Sequence, residues 1–213
     1  MKTYVTGSHL VTLVDANGNP IGSADVFEAH RHPVQLHAAA SVWIFKQDQV
    51  LLQQRSTKKI LAADWWANTI CGNVKPDETP LECAHRRLKE ELNFTTNHAQ
   101  IKPSYTFTYK AYGNEQFSEH EFDHVFVGSL NDTTAPLPQP NPDEAQAIAW
   151  VSFSELKKWA LSLDYPSLAE SLKLSDQELQ AKTKPQVFTF ERNEYLIAPW
   201  TIFMLRDESL RAV

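Results

Sequence analysis

Hydrophobic positions that follow Thr79 recur at the spacing of a helix. Thr79 is a favourable N-cap residue, Pro80 fits the first helical position, and Glu82 completes a capping box three residues after the cap. Apolar residues then return every three or four positions, as on the buried face of a helix: Leu81, Ala84, Leu88 and Leu92. The pattern predicts a loop that leads into a helix between residues 68 and 94.

Shorter apolar runs predict the strands of a sheet. In one of them Tyr105, Phe107 and Tyr109 alternate with polar residues. The pattern predicts strands at 9–14, 36–45, 49–55, 104–112, 122–130, 147–151 and 187–190, and helices at 24–29, 155–163, 167–174 and 198–205. It predicts a loop at 56–68, and the helix at 198–205 is predicted to be amphipathic. Mixed strands with helices on both faces indicate an α+β fold, an α/β/α sandwich around a mixed central sheet.

Composition and charge narrow the classes of function. The chain of 213 residues is long enough for one domain with a sizeable core. Its net charge of −6 argues against binding to nucleic acid or an anionic membrane, so an anionic ligand needs a local basic pocket. Cys71 and Cys83 are too few for a disulfide framework, and no apolar run is long enough to span a bilayer. We therefore expect a cytoplasmic monomer or dimer with no nucleic-acid or membrane partner.

The polar face of the helix after Thr79 suits a metal-bound anion. Arg87 and Glu91 are one turn apart and point the same way. Mg²⁺ prefers a few oxygen ligands together with substrate phosphates, so carboxylates beside a glycine-containing loop indicate a magnesium site. The structural alternative is a solvated helix face held by ion pairs.

Histidines and carboxylates form a second candidate set. His30 and His37 lie before and at the start of a predicted strand, while Glu119 and Glu121 share one face of another. Two imidazoles and two carboxylates suit a divalent transition metal. Taken singly, each histidine is better explained as a packed or surface residue, so the prediction depends on their joint occurrence.

Two further sets carry charge or reactivity. Arginine forks and lysine ammonium groups are what a diphosphate needs, and the chain offers Arg55, Lys58, Lys59 and Arg87. The reactive or aromatic candidates are Cys71, Tyr109, Trp66 and Trp200. Cys71 is expected in the loop beside Gly72, whereas a structural cysteine would more naturally lie in a helix or strand. An isolated Trp200 would most simply be a core residue.

These residues fall in the order of a known motif. Gly72, five residues, Glu78, seven residues and Arg86, followed by x-Leu-x-Glu-Glu, resemble the Nudix box. Arg87 stands where a Nudix hydrolase usually carries a metal-binding glutamate. With His30, His37, Cys71, Tyr109, Glu119-x-Glu121 and Pro199-Trp200 added, the chain resembles the type I isopentenyl diphosphate isomerases, Nudix-fold proteins that carry arginine at that position.

The resemblance implies a single domain over residues 1–213, with an insertion at 164–195. It implies an isomerase of isoprenoid biosynthesis that interconverts isopentenyl and dimethylallyl diphosphate through a tertiary carbocation. Cys71 and Glu121 are then the acid–base pair, with Tyr109 assisting and Trp200 facing the cation. The resemblance assigns the diphosphate to Arg55, Lys59 and Arg87, Mg²⁺ to Glu91, and a second metal, Mn²⁺ or Zn²⁺, to His30, His37, Asn73, Glu119 and Glu121.

Two positions depart from the family. The third ligand histidine of the family is Asn73 here, and a lysine that many members place four residues before the first ligand histidine is Val26. Asparagine offers an oxygen, so the metal site either persists with an altered preference or is lost. A Mg²⁺-dependent Nudix hydrolase of a nucleoside or prenyl diphosphate is the alternative function, since Glu78, Glu90 and Glu91 still allow magnesium. A catalytically silent binding module is the third.

Overall fold

The computed structural model describes residues 9–94, 101–130 and 137–211. The first half contains β1 Leu10–Val14, β2 Pro20–Asp25, α1 Val26–His30, β3 His37–Lys46, β4 Gln49–Arg55, β5 Trp66–Ala67, β6 Ile70–Asn73 and α2 Pro80–Leu92. The second half contains β7 Ile101–Tyr112, β8 Ser118–Ser129, β9 Ala145–Ser152, α3 Phe153–Ser162, α4 Leu168–Ser171, α5 Asp176–Lys182, β10 Gln186–Phe190, β11 Asn193–Ile197 and α6 Pro199–Arg206. None of the helices in the described ranges is long and apolar enough to cross a membrane.

Strand β3 is the centre of the mixed sheet. It runs parallel to β8 over nine paired positions, from His37 opposite Glu121 to Phe45 opposite Ser129. On its other side it pairs with β1, β6 and β4 in turn. All but its last residue are buried, which explains why its sequence is apolar apart from His37 and Ser41 and rich in small side chains before the last residue.

The two faces of β3 belong to two different hydrophobic cores. Trp43 and Phe45 point into a core that includes α6 residues such as Phe203. Val42 and Ile44 point into the other, which α2 completes. Because side chains alternate along a strand, helices cover both faces of the sheet, and the predicted α+β sandwich is confirmed.

Helix α2 is capped at both ends by residues that favour these positions. The Thr79 hydroxyl accepts from the Glu82 N–H while the Glu82 carboxylate accepts from the Thr79 N–H, so the predicted capping box is present. At the C-terminus Asn93 adopts a left-handed conformation with φ of 48°. The helix is thereby fixed at both ends, which holds its polar face in place beside β6.

Residues 164–195 complete two edges of the sheet. The hairpin β10–β11 extends it through a parallel contact between Ile197 and Trp66. At the other edge, hydroxyls replace a neighbouring strand: Ser171 accepts from the Lys110 N–H at 3.3 Å and Thr183 from the Tyr112 N–H at 2.8 Å. Whether this segment is an insertion within a single domain stays a prediction.

Several local expectations are corrected. Cys71 lies in strand β6 and not in a loop, because Ile70–Asn73 pairs with β3. Helix α6 is not amphipathic, since every residue from Pro199 to Leu205 is buried. The predicted loop at 56–68 contains β5, and β2 and β11 were not predicted. Most of β2 is exposed, so it lacks the alternation that identifies a half-buried strand.

Candidate active site

A cavity of about 320 Å³ opens between β6, α2, β8 and the loop after β4. Eight of the predicted site residues line it: His30, Arg55, Lys59, Cys71, Asn73, Arg87, Glu119 and Glu121. Four others, His37, Glu91, Tyr109 and Trp200, are buried and lie outside its lining. The cavity is thus built from segments that are far apart in sequence.

Sheet register places the reactive side chains on one face. Glu121 pairs with His37, Asn73 with Ala39, and Cys71 with Ser41. Paired residues share a face, as do alternate residues along β3. Because β6 and β8 flank β3 on opposite sides, Cys71 and Glu121 approach the same cavity from two directions.

The histidine–carboxylate set forms a compact cluster. One ligand atom from each of His30, His37, Glu119 and Glu121 lies within 4.8 Å of the others. His30 Nε2 is 2.9 Å from Glu119 Oε2, and His37 Nε2 is 3.5 Å from Glu121 Oε1. All four residues are buried, so solvent screens the electrostatic interactions between them only weakly.

The Nδ1 atoms of the two histidines fix the orientation of each imidazole ring. His30 Nδ1 is 2.7 Å from the Val26 carbonyl and His37 Nδ1 is 2.8 Å from the Gln35 carbonyl. A carbonyl can only accept, so each Nδ1 carries the hydrogen, and each Nε2 points into the cluster, where it offers a lone pair when the ring is neutral. His37 Nε2 has no hydrogen-bond partner among the described residues. This donor set fits a divalent metal.

The charges of the cluster depend on one another. Burial opposes the protonation of His30, but the Glu119 carboxylate outweighs it and raises the pKa of His30 to about 9. Burial likewise opposes ionisation of Glu119, while His30 lowers the pKa of that carboxyl. A proton and a divalent cation are therefore alternative partners for these two side chains.

Cys71 is held as a neutral thiol. Burial raises its pKa to about 12, although the nearby Arg55 favours the thiolate. The Arg55 guanidinium is 3.5 Å from Cys71 Sγ. A protonated thiol at a cavity wall can lend a proton and take it back, which is the requirement for acid–base chemistry.

Glu121 connects the cluster to a buried tyrosine. The Tyr109 hydroxyl donates to Glu121 Oε2 at 2.5 Å, while Oε1 faces His37. Burial, reinforced by Glu121, raises the pKa of Tyr109 well above its usual range, so the phenol stays protonated. Tyr109 therefore reaches the cavity only through the carboxylate that it orients.

The basic wall of the cavity is already ion-paired. Arg87 Nη2 contacts Glu144 Oε2 at 2.7 Å, its guanidinium also pairs with Glu91, and Lys59 Nζ contacts the same Glu144 oxygen. Burial opposes the ionisation of Glu144, yet Arg87 and Lys59 lower its pKa to about 2. Arg87 reaches this position by crossing Gly72, where an added Cβ would lie 2.7 Å from Arg87 Cγ.

Two predicted site residues have protein partners in place of the predicted ones. The Arg55 guanidinium lies 5.3 Å from the centroid of the Trp200 ring, a cation–π distance. The buried Glu91 carboxylate accepts from Gln53 and from Arg87. The predicted contacts of Trp200 with a carbocation and of Glu91 with Mg²⁺ stay predictions.

The sequence analysis did not identify Glu144, which pairs with Lys59 and Arg87, two of the three residues predicted to bind the diphosphate. It also missed Gln53, whose amide contacts Glu91. Neither residue belongs to the Nudix box pattern. An acidic residue after a proline-rich stretch carries no periodic signal, and its partners lie 57 and 85 positions away in sequence.

Known proteins share both the sequence and the fold. The NUDIX domain family matches residues 35–172. An isopentenyl-diphosphate Delta-isomerase of Nocardia farcinica is 40% identical over 171 residues, 78% of this chain and 94% of that protein. One from Serratia proteamaculans is 38% identical over 148 residues, 69% of this chain and 78% of that protein. The crystal structure of DR0079 from Deinococcus radiodurans has a TM-score of 0.56 at 20% identity, covering 71% of this chain and 88% of that one.

Proposed function

The chain belongs to the Nudix family and, within it, to the isopentenyl-diphosphate Delta-isomerases, and we propose that it interconverts isopentenyl and dimethylallyl diphosphate. The observation that carries the proposal is the position of Cys71 and Glu121 on strands that flank β3 from opposite sides, lining one cavity. The predicted isomerase, and not the alternative hydrolase, is the function that the relatives support.

The reaction is a net shift of one proton along three carbons. One group adds a proton to the terminal carbon of the double bond, which leaves a tertiary cation. A second group then removes a proton from the carbon on the far side, and the electron pair of that C–H bond forms the new double bond. Two acid–base groups are required, and Cys71 and Glu121 are the pair that the cavity brings together.

Each of the two groups has a surrounding that suits this task. Burial keeps the Cys71 thiol protonated, while the Tyr109 hydroxyl orients Glu121 by donating to Oε2, and Oε1 faces His37. General acid–base catalysis of this kind contributes about 10²–10⁴-fold. The cavity must also exclude water, because water would trap the cation.

The diphosphate is assigned to the basic wall formed by Arg55, Lys59 and Arg87, all of which line the cavity. Arg87 is the residue that departs from the hydrolase form of the box. In place of a metal-binding carboxylate it supplies a guanidinium, which can bind phosphate oxygens with two parallel hydrogen bonds. This substitution supports binding of the diphosphate without its hydrolysis.

Metal binding is assigned to two places. His30, His37, Glu119 and Glu121 would hold a divalent transition metal, Mn²⁺ or Zn²⁺, with Asn73 contributing an oxygen, and Glu91 would help hold Mg²⁺ on the diphosphate. A bound cation would make the Glu121 carboxyl a stronger acid. The protein residues themselves hold the histidine tautomers and orient the carboxylates.

Product identity tests the proposal. Purified protein is incubated with isopentenyl diphosphate and Mg²⁺, with Mn²⁺ or Zn²⁺ added in parallel, and the products are separated by chromatography. We expect dimethylallyl diphosphate and no inorganic phosphate. Release of phosphate or pyrophosphate would assign the chain to hydrolysis, and unchanged substrate that is nevertheless bound would indicate a silent binding module.

A further inference from the structure

Glu144 lies inside the basic wall of the cavity. A single carboxylate oxygen, Oε2, contacts Lys59 Nζ and Arg87 Nη2 together. These are two of the three side chains to which the proposed function assigns the diphosphate. A carboxylate oxygen therefore already sits where phosphate oxygens would bind these cations.

The backbone around Glu144 is fastened to its surroundings. The Ser56 N–H donates to the Glu144 carbonyl at 3.0 Å, and the Asn141 N–H donates to the Glu91 carbonyl at 2.8 Å. The Asn141 side chain adds a hydrogen bond of 3.0 Å to the Glu90 carbonyl. The loop is thus tied both to the segment that carries Lys59 and to the end of α2, so the carboxylate is a fixed part of the wall.

Glu144 removes much of the positive charge from this wall. Arg55 has no carboxylate within ion-pair distance in the described part of the chain. Lys59 and Arg87 share Glu144, and Arg87 also pairs with Glu91 and Glu90. The three cations and the three carboxylates Glu144, Glu91 and Glu90 leave no formal net charge. A bare diphosphate carries more negative charge than this wall can neutralise, and it would also approach the fixed Glu144 carboxylate.

We propose that Glu144 is a specificity-determining residue, which makes the cavity select a diphosphate already complexed with a divalent cation over the bare anion. The inference rests on the proposed function for the place of the diphosphate. The cation on the ligand would face the Glu144 and Glu90 carboxylates, which both line the cavity, and the phosphate oxygens would face the guanidinium and ammonium groups. Without the Glu144 charge, the wall gains attraction for any diphosphate and loses this discrimination.

Binding of inorganic pyrophosphate, measured by calorimetry in EDTA and again in excess Mg²⁺, tests the inference. We expect the wild type to bind the Mg²⁺ form at least about tenfold more tightly, which corresponds to about 1.4 kcal/mol. Glu144→Gln should tighten binding in EDTA by about tenfold and alter binding in Mg²⁺ much less, so that the ratio collapses. Glu144→Asp keeps the charge and should retain the wild-type ratio.

Asp143→Asn is the matched control. Asp143 is the neighbouring acid of the same loop, but it pairs with Lys58 and lies outside the lining of the cavity. Removing its charge should leave both affinities as they are in the wild type. If Asp143→Asn reproduced the effect of Glu144→Gln, general loop charge would be responsible and the inference would be wrong.

Two other results overturn the inference. Equal wild-type affinity in EDTA and in Mg²⁺ does so without any variant, and this comparison remains available if Glu144→Gln does not fold. Weaker binding of both forms by a folded Glu144→Gln protein would mean that Glu144 only positions Lys59 and Arg87. A wild type that discriminates between the two forms but does not isomerise would contradict the proposed function alone.

Discussion

The two ends of the cavity manage charge in opposite ways. At the histidine end, the Nδ1 atoms of His30 and His37 are satisfied by backbone carbonyls, which leaves Nε2 atoms and carboxylates converging on one point. At the basic end, Lys59 and Arg87 are satisfied by Glu144 and Glu91 before any ligand arrives. The first end is arranged to receive a cation, whereas the second must exchange an internal anion for an external one.

The buried charges at the two ends are compensated in different ways. A buried cation without a partner is costly, so a basic pocket that must remain folded without ligand needs internal carboxylates. At the histidine end, the Glu119 carboxylate already partners the His30 ring, and a divalent cation would replace the proton between them. Mutations at the basic end should therefore change substrate binding and stability, whereas mutations at the histidine end should change metal affinity.

The largest expected effect comes from the two acid–base groups that lie between the ends. Cys71→Ala and Glu121→Gln should each lower the isomerisation rate by about 10²–10⁴-fold or more, because each removes one of two required proton transfers. Steady-state kinetics on variants with unchanged circular dichroism measures this. Cys83→Ala is the matched control, since Cys83 is the other cysteine and lies on the buried face of α2, outside the lining of the cavity.

If either variant turned over at the wild-type rate, the acid–base assignment would be wrong. Glu121→Gln also changes a predicted metal ligand, so its metal content must be measured beside its rate. Loss of rate with retained metal would separate the proton-transfer role from the ligand role.

A smaller effect is expected at the basic end. Arg87→Gln should raise the KM for isopentenyl diphosphate by at least about tenfold, because it removes a charge-assisted partner of the diphosphate. The same change leaves Glu91 and Glu144 without their shared cation, and breaking a buried pair costs about 3–5 kcal/mol. The midpoint temperature of thermal unfolding should therefore fall as well, and the kinetics should be measured well below that temperature.

Lys58→Gln is the control for this end. Lys58 is adjacent to Lys59 in sequence, but its side chain is 46% exposed, pairs with Asp143 and does not line the cavity. Its KM should match the wild type. If the KM of Arg87→Gln were as low as that of Lys58→Gln, Arg87 would not bind the diphosphate and the assignment of the basic wall would be wrong.

How much of this site the sequence could predict depends on the kind of signal. The capping box at Thr79 and the apolar spacing of α2 are local signals, so the sequence predicts the helix and its N-cap, and the structure confirms both. The position of Cys71 in a strand was not predicted, because Ile70–Asn73 becomes a strand only by pairing with β3. Glu144 was missed for the same reason, since its contacts are set by tertiary structure alone.

The smallest expected effect concerns the histidine end. Sheet register puts Asn73 on the face of β3 that carries His37, so Asn73→His should add an imidazole to the cluster. We expect the affinity for Zn²⁺ to rise by about tenfold, since zinc favours nitrogen donors over an amide oxygen. Metal analysis and competitive chelator titration measure this without reference to turnover.

His124→Ala is the control for the histidine end. His124 lies on β8 opposite Ala40, whose side chain belongs to the other face of β3. Metal content should be unchanged there and should be lost in His37→Ala. If neither the wild type nor Asn73→His held metal, His30 and His37 would be structural residues.

Isomerisation in deuterated water shows directly whether solvent-exchangeable side chains move the proton. Isopentenyl diphosphate is incubated with the wild-type protein and divalent metal, and the product is followed by proton and deuterium NMR. We expect dimethylallyl diphosphate with deuterium in a methyl group, because the protons of Cys71 and Glu121 exchange with solvent. Dimethylallyl diphosphate without deuterium, or release of phosphate, would contradict this expectation.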